Sequence, residues 1–363
     1  MQIRKIATIA LSTLLLAGSM PAGEPTNKQL EKALRQESQP KEVLSQFQRD
    51  YILLKKGQRE FENNFAWTYN SANQIFLNSF AILDPVFLTL GQFGVEHIRR
   101  HIFTDTLTLR YGILDNLQAQ VSVPVIFRHD RYSKIGTTGG QGEKIESTKD
   151  QFGLGDISIG LSYQPVRETD TMPAIVTSLS YKFDNAKSPF EIDVDENGQM
   201  KELPLGSGYQ SIKLGVNFAK TIDPVVVFGG ISYAYNMEKN VNKKYYIKDK
   251  DTNETKLYGL KKVAPGDTIS IVLGFSYAVS YNFSLGFQFQ DDLTLSTDVW
   301  KFQGSENNVT KEQVPNTNLN SGIFKLTAGW AISDKSSLNF SLGMGLTSDA
   351  PDFVFEVRYP IRF

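Results

Sequence analysis

Apolar and polar residues alternate one by one along most of the chain after residue 56. A period of two predicts β-strands whose two faces meet different environments. The chain ends on such a segment, in which Phe353, Phe355, Val357, Tyr359, Ile361 and Phe363 alternate with Val354, Glu356, Arg358, Pro360 and Arg362. The same alternation predicts about twelve strands in all, at 61–69, 103–111, 121–127, 157–163, 175–183, 212–218, 231–235, 271–277, 283–289, 324–330, 340–344 and 353–363.

The composition of the two faces separates a membrane barrel from a soluble one. One face of each predicted strand is aromatic or aliphatic, whereas the other carries mostly Ser, Thr, Gly, Asn and Gln with scattered charges. A soluble barrel would bury the apolar face and expose long charged side chains. Apolar residues facing lipid and small polar residues facing a lumen are typical of outer-membrane barrels. The pattern therefore predicts an all-β, transmembrane, antiparallel up-and-down β-barrel in the cell outer membrane.

The connections between the strands support this prediction. Tight connections at 113–116, 221–224 and 281–282 alternate with long polar connections at 133–150, 187–206, 239–264 and 298–319. Short periplasmic turns and long outer loops are expected of such barrels, so both ends of the barrel domain fall on the periplasmic side. Residues 74–103 are too apolar for an ordinary outer loop. They predict extended neighbouring strands, an added hairpin or a segment folded into the lumen.

The N-terminus predicts export from the cytoplasm. The basic stretch MQIRK precedes the apolar run IATIALSTLLLAG, and small residues suited to cleavage follow near Ser19 or Ala22. These features predict a signal peptide at 1–22. The chain has 363 residues, a net charge of −1 and no cysteine, so neither a nucleic-acid partner nor a disulfide framework is expected. After the signal peptide, no apolar run approaches the ~18 residues of a membrane-spanning helix.

Residues 23–55 separate the signal peptide from the barrel domain at 56–363. Thr26 and Gln29 have the spacing of a capping box, and Pro40 suits the first turn of a second short helix. That second helix would carry Val43, Leu44 and Phe47. Two interpretations remain open, a linker or a periplasmic helical segment that acts as a plug at one mouth of the barrel.

The polar faces of the strands supply the candidate functional residues. We predict as pore-lining Glu62, Arg110, Arg128, Asp156, Lys182, Lys213, Lys325, Glu356, Arg358 and Arg362, with Asp292 as a further lumen charge. The modest excess of basic residues favours anionic solutes. The alternative is that these charges pair with one another or with a plug. The terminal strand predicts a signal for the barrel-assembly machinery, made by Phe355, Val357, Tyr359, Ile361 and Phe363.

The sequence offers no catalytic or metal site. His97 and His101 lack a matching third ligand nearby, and the DVDENG stretch at 193–198 resembles a calcium loop whose final Glu position is Pro204. A barrel phospholipase would need a serine two residues after a histidine, but Arg99, Phe103 and Arg131 occupy those positions. We therefore expect no enzyme activity and no cofactor.

Five blocks of the chain resemble a known family of outer-membrane barrels, and they fall in order over roughly residues 52–363: LLKKGQREFENNFAWTYNSANQIFLNSFAIL, FTDTLTLRYGILDNLQAQVSVPVIFRHDR, GLGDISIGLSY, PFEIDVDENGQMKELPLGSG and LNFSLGMGLTSDAPDFVFEVRYPIRF. The family is labelled as transporters or as a putative MetA pathway of phenol degradation, and it includes the secretion pore of the Fap functional-amyloid system. The resemblance implies a twelve-stranded barrel, which in the Fap case is a homotrimer gated by an N-terminal plug after a coiled coil. Residues 24–55 contain no sustained heptad, so this chain departs from the coiled-coil part of the pattern.

Together these features predict an outer-membrane pore or transporter that exports an unfolded or amyloid-forming polypeptide. An uptake channel for hydrophobic or anionic small molecules is the close alternative. A structural or adhesive barrel with a closed lumen is the third hypothesis. The expected partners are outer-membrane lipid, the barrel-assembly machinery, the polypeptide or small-molecule cargo and, through the resemblance, further copies in a homotrimer.

Overall fold

The computed structural model describes residues 52–72, 96–138, 141–193, 201–248, 255–314 and 317–363. The predicted signal peptide, residues 23–51 of the predicted helical segment, with Val43, Leu44 and Phe47, and most of the apolar segment 74–103 lie outside the described residues. No helix in the described ranges is long and apolar enough to cross a membrane.

The described residues form seventeen β-strands, in line with the period-two pattern. Their bounds are β1 Arg59–Ala72, β2 Glu96–Leu114, β3 Leu117–Thr138, β4 Gln141–Leu154, β5 Ser158–Val166, β6 Ala174–Lys182, β7 Ser211–Ile222, β8 Val225–Asn236, β9 Lys239–Lys248, β10 Thr255–Ala264, β11 Thr268–Ala278, β12 Phe283–Thr294, β13 Asp298–Gln303, β14 Val309–Gln313, β15 Leu319–Ser333, β16 Ser336–Gly345 and β17 Phe353–Arg362.

Twelve of these strands close into one antiparallel barrel. Their order around the barrel is β1-β2-β3-β5-β6-β7-β8-β11-β12-β15-β16-β17. The last strand returns to the first, with Phe65 opposite Val357 and Glu60 opposite Arg362. Each barrel strand overlaps one of the segments predicted from the sequence, and the bounds that fall short do so by a single residue. The prediction of an up-and-down membrane barrel with twelve strands is thus confirmed.

The remaining strands extend the barrel at one end. β4 continues the hairpin begun by β3, with Arg131 opposite Thr148. β9, β10, β13 and β14 form a separate four-stranded sheet in the order β14-β13-β10-β9, which we call the outer sheet. Much of the long polar connections at 133–150, 239–264 and 298–319 is therefore β-structure. Short turns lie at the opposite, periplasmic end, together with Arg59 and Phe363.

Side chains alternate between the outside and the inside of the barrel. Large apolar residues are exposed on the outward face, among them Phe65, Leu109, Leu161, Leu214, Ile231, Leu273, Phe287, Trp330 and Leu342. Residues between them are buried on the inward face, including Ser276, Ser284 and Ser337. Exposed apolar residues around a closed barrel are compatible with lipid and not with water. The protein is therefore an outer-membrane protein.

Candidate functional site

The connection between β6 and β7 folds into the barrel. We call residues 183–210 the inner loop, of which 183–193 and 201–210 are described. Leu205 and Ala186 of the inner loop pack against Ile126 of β3, with Ile102 of β2 beside them. The loop also buries Phe190, Ile192 and Leu203. The sequence predicted a long polar outer connection here, whereas the structure places much of it against the inward face of the wall.

A cluster of three buried charged residues holds the inner loop at β2 and β3. Arg100 donates to Asp130 from Nε at 3.0 Å and from Nη2 at 2.8 Å. Arg128 donates to the same carboxylate from Nη2 at 2.7 Å. A further hydrogen bond, 3.1 Å long, runs from Arg128 Nη1 to the carbonyl oxygen of Pro204 in the inner loop. Two guanidinium groups around one carboxylate leave donors for the loop backbone.

A second cluster holds the inner loop at β6. Asp156 accepts hydrogen bonds from the backbone N–H groups of Ser207 at 2.8 Å and Ala186 at 3.2 Å. It also forms an ion pair with Lys182 at 3.2 Å. Lys182 donates to the carbonyl oxygen of Tyr209 at 2.8 Å and lies 4.6 Å from the centre of its ring. One buried carboxylate therefore fixes both the beginning and the end of the loop.

The outer sheet covers the outer part of the inner loop. Lys243 on β9 donates from Nζ to the carbonyl oxygens of Glu191 at 2.9 Å and Ile192 at 3.0 Å. It also reaches Asp193 Oδ1 at 2.9 Å. This hydrogen bond lowers the pKa of the Asp193 carboxyl below its ordinary value. Lys239 pairs with Asp184 at the start of the loop.

At the periplasmic end, the described chain begins against the inward face. Leu53 and Leu54 are buried, and the Leu54 N–H donates to Gln118 Oε1 on β3 at 3.0 Å. Gly57 N–H donates to the carbonyl oxygen of Gly112 at 2.8 Å. The segment just before β1 is therefore attached to the inward face at the periplasmic ends of β2 and β3.

A band of paired charges follows β1, β2 and β17. Arg110 contacts Glu60 at 2.9 Å and Glu62 at 3.1 Å, and Arg362 contacts Glu60 at 2.8 Å. Further along the same wall, Glu356 accepts from Lys325 at 3.1 Å and from Arg358 at 3.3 Å. We call this band the charged wall. Within it, carboxylates and cations alternate, so most of the charge is balanced locally.

The side of the barrel opposite the charged wall is apolar at its periplasmic end. β1 and β8 lie six strands apart in a ring of twelve, as do β17 and β7. Ala219 on β7 and Val226 and Phe228 on β8 form a buried cluster, with Val272 of β11 against it. We call this cluster the apolar wall. Sequence reasoning missed it because these inward residues interrupt the small polar pattern.

Nine of the ten residues predicted to line the pore lie on the inward face of a barrel strand, and Asp156 lies in the connection just before β5. The structure brings Glu62 together with Arg110, Asp156 with Lys182, and Lys325 with Glu356 and Arg358. Arg128 binds the inner loop, Arg362 binds Glu60, and Lys213 is exposed on β7. The sequence analysis missed three buried members, Glu60, Arg100 and Asp130. The available signal was the period of two. Glu60 lies two residues before Glu62, Arg100 lies two before Ile102, and Asp130 lies two after Arg128, so each shares the inward face of its neighbour.

Other predicted residues lie on the outward face. His101 packs beside Trp67, Tyr69 and His129 on neighbouring strands. The five residues of the predicted assembly signal follow the outward side of β17 to the C-terminus. A hollow of about 640 Å³ lies on the outward face of β5 to β8 and is lined mainly by Leu161, Leu179, Leu214 and Tyr233. Its position suits acyl chains of the surrounding membrane.

Comparison with known proteins supports the fold. No family model matches the chain. An outer-membrane channel from Pseudomonas putida F1 is similar in structure, with a TM-score of 0.51 and 14% identity over 86% of this chain and 98% of that chain. The toluene transporter TbuX of Ralstonia pickettii gives a TM-score of 0.39 and 11% identity over 85% of this chain and 90% of that chain. The translocator domain of the autotransporter NalP from Neisseria meningitidis gives a TM-score of 0.38 and 10% identity over 92% of this chain and 98% of that chain. At 14% identity, the likeness to the Pseudomonas putida F1 channel concerns the barrel fold.

Proposed function

We propose that the protein is an outer-membrane channel for the uptake of small molecules with apolar or anionic character. The observation that carries this proposal is the inner loop, which lies inside the barrel and is bound by Arg128 and Asp156. Because buried charged groups hold the inner loop in place, the loop stays inside the lumen and narrows it. Small solutes can pass beside such a loop, whereas the passage of an unfolded polypeptide would require the loop to move out of the lumen.

The chemistry of the lumen agrees with small solutes of mixed character. The charged wall presents the partly exposed Arg358 and Arg362 on one side of the barrel, and the buried apolar wall of Val226 and Phe228 gives the opposite side an apolar character. Charged rings and apolar constrictions are the elements from which pores derive selectivity. The outer-membrane channel of Pseudomonas putida F1, which shares the fold, gives this proposal further support.

Export of an amyloid-forming polypeptide, the first prediction from the sequence, has weaker support. It rests on the resemblance of sequence blocks to the family that includes the Fap pore. The inner loop argues against it, because its two buried clusters would have to break for each polypeptide that passes. A structural barrel without transport is the remaining alternative, and it predicts no conductance.

We further propose that residues 40–55 plug the periplasmic mouth. The hydrogen bond from Leu54 to Gln118 supports this idea, since it fixes the end of this segment on the inward face. Val43, Leu44 and Phe47 would then face the lumen as the plug, and the apolar wall is a suitable surface for them.

The test is single-channel conductance in planar bilayers, with the chain from residue 23 compared with a chain that begins at residue 52. A closed longer form and an open shorter form would support a gated channel. Equal conductance in both forms would contradict the plug proposal and leave the channel proposal standing. Folding is checked by heat-modifiable gel migration.

Cargo class is tested with the same protein in liposomes. We expect influx of small aromatic carboxylates and no transfer of an unfolded polypeptide. Transfer of the polypeptide would favour export over uptake. If neither form conducts although both are folded, the channel proposal is overturned and the structural barrel is favoured.

A further inference from the structure

Lys213 differs from the other predicted pore-lining residues in having no partner. It lies on the inward face of β7, next to the outward residue Leu214, and its side chain is exposed to the lumen. Among the residues that the structure describes, none forms an ion pair or a hydrogen bond with the side chain of Lys213. Its ammonium group is therefore accessible to a solute inside the barrel.

The other predicted pore-lining charges are engaged with partners. Lys182, on the neighbouring strand β6, contacts Asp156 at 3.2 Å. Asp156 also accepts hydrogen bonds from the backbone of the inner loop, so this carboxylate is already occupied. The cations of the charged wall, on the opposite side of the barrel, pair with Glu60, Glu62 and Glu356. Local pairing thus balances the charge around most of the lumen, but not at Lys213.

One inward carboxylate without an ion pair in the described ranges is Asp292 on β12. It accepts a hydrogen bond from Gln290 at 2.9 Å. β12 lies three strands from β7 in the barrel, and strands spaced by about 4.8 Å place Asp292 roughly 14 Å from Lys213 along the wall. This separation exceeds the Debye length of about 8 Å at physiological ionic strength. Asp292 therefore does not neutralise Lys213 in a water-filled lumen.

The neighbours of Lys213 on the wall leave its side chain uncovered. Ser180 on β6 and Ala234 on β8 lie directly opposite it. Ser211 and Gly215 are the next inward residues of β7 on either side. All four are small, so the lysine projects beyond them into the lumen. The wall behind it has a low dielectric constant, which concentrates the field of the charge in the water of the pore.

We propose that Lys213 is the binding site by which the channel selects small organic anions, such as monocarboxylates. Its ammonium group attracts the charged end of the solute, since lysine is a compact point charge. Charged side chains on a pore wall select ions in this way. The small neighbours impose no shape on the solute, so the site recognises charge. This inference rests on the proposed uptake function and assigns its preference for anions to one residue.

The first test is the reversal potential of the open channel in a gradient of potassium chloride. We expect the unaltered channel to favour chloride over potassium at low salt. Lys213→Gln should bring the permeability ratio towards one, Lys213→Glu should invert it, and Lys213→Arg should retain it. Salt of about 1 M should abolish the preference, because the Debye length falls to about 3 Å. These variants should fold, since the exposed side chain has no partner to lose.

The second test uses benzoate and benzyl alcohol, which carry the same ring and differ in charge. We expect benzoate to interrupt the ionic current at an about fivefold lower concentration, as contact between two unit charges at about 4 Å in water gives. In Lys213→Gln this difference should disappear. Lys335→Gln is the control, because Lys335 is an exposed lysine in the turn between β15 and β16. It should change neither the permeability ratio nor the effect of benzoate.

A conducting channel without a preference for anions would overturn the site and leave the uptake function standing. A preference that persists in Lys213→Gln would do the same. If no form conducts, the uptake function fails, and the site is tested on the folded protein in detergent with trinitrobenzenesulfonate, an anionic reagent for amines. Benzoate should then slow the labelling of Lys213 and not that of Lys335, measured by mass spectrometry. Equal labelling with and without benzoate would overturn the site as well.

Discussion

Arg128 on the barrel wall donates a hydrogen bond of 3.1 Å to the carbonyl oxygen of Pro204, which lies 76 positions later in the chain. The same guanidinium binds Asp130, which also binds Arg100. The position of the inner loop thus depends on a charged group that the barrel itself holds in place. An arginine suits this role because its fork can serve a carboxylate and a carbonyl oxygen at once.

Replacing Arg128 should loosen the inner loop without removing every partner of Asp130. In Arg128→Gln, Asp130 keeps Arg100, whereas Pro204 loses its guanidinium donor. We expect a larger and more variable single-channel conductance, measured in planar bilayers at fixed salt. The reason is that a loop with one anchor fewer occupies the lumen less consistently.

Arg131→Gln is the matched control for this measurement. Arg131 lies on the same strand, but it is exposed and pairs with Glu146. The conductance of the Arg131→Gln variant should equal that of the unaltered protein. A normal conductance in Arg128→Gln would contradict the role given to the inner loop.

Asp156 should contribute strongly to stability. Asp156→Asn leaves Lys182 without its ion-pair partner and weakens the bonds to Ser207 and Ala186. Breaking a buried pair by removing one partner commonly costs about 3–5 kcal/mol, and the partial exposure of Lys182 places the expected loss at the lower end or below it. Urea unfolding in detergent, followed by heat-modifiable migration, should show a lower midpoint.

Asp150→Asn provides the comparison, since Asp150 pairs with His129 in an exposed position. Exposed pairs contribute about 0–1 kcal/mol, so its midpoint should barely move. Equal midpoints for the two variants would show that the Asp156 cluster does not stabilise the protein.

The barrel could be predicted from the sequence because each of its strands lies between the same two environments. One face meets lipid and the other meets the lumen, so apolar and polar residues alternate along most of the barrel, from Phe61 in β1 to Ile361 in β17, and the apolar wall is where this alternation is interrupted. Inward residues such as Glu62 and Arg358 follow from the same parity, without any knowledge of their partners.

The inner loop could not be predicted in this way. Its buried residues, such as Phe190 and Leu205, follow no period, because they are buried by distant parts of the chain and not by a regular element. The same reason hid Arg100 and Asp130, which look like loop charges in the stretches HIRR and RHDR. The outer sheet was likewise read as polar connections, since its strands are rich in lysine.

Lys243 should protect the inner loop from proteases added outside intact cells. Lys243→Met removes the donor to Glu191 and Ile192, and exposed backbone that loses its partners is cut more readily. We expect faster cleavage between residues 183 and 210, measured by mass spectrometry of the released peptides. Lys244→Met is the neighbouring control, because Lys244 pairs with Glu306 instead. Faster cleavage in both variants would point to a general loosening of the outer sheet.

Replacing Gly274 on β11 by any residue with a side chain should destabilise the barrel. A Cβ atom there would lie 2.5 Å from the ring of Phe228 and 2.7 Å from the carbonyl oxygen of Phe287. Phe228 is buried in the apolar wall, so neither neighbour has room to withdraw. Overpacking of this kind costs about 1–3 kcal/mol, and Gly274→Ala should lower the midpoint of urea unfolding accordingly. Gly322→Ala is the control, since its Cβ would come no closer than 3.3 Å to the side chain of Thr347. If the two variants unfold at the same urea concentration, the packing of Phe228 over Gly274 does not constrain the barrel.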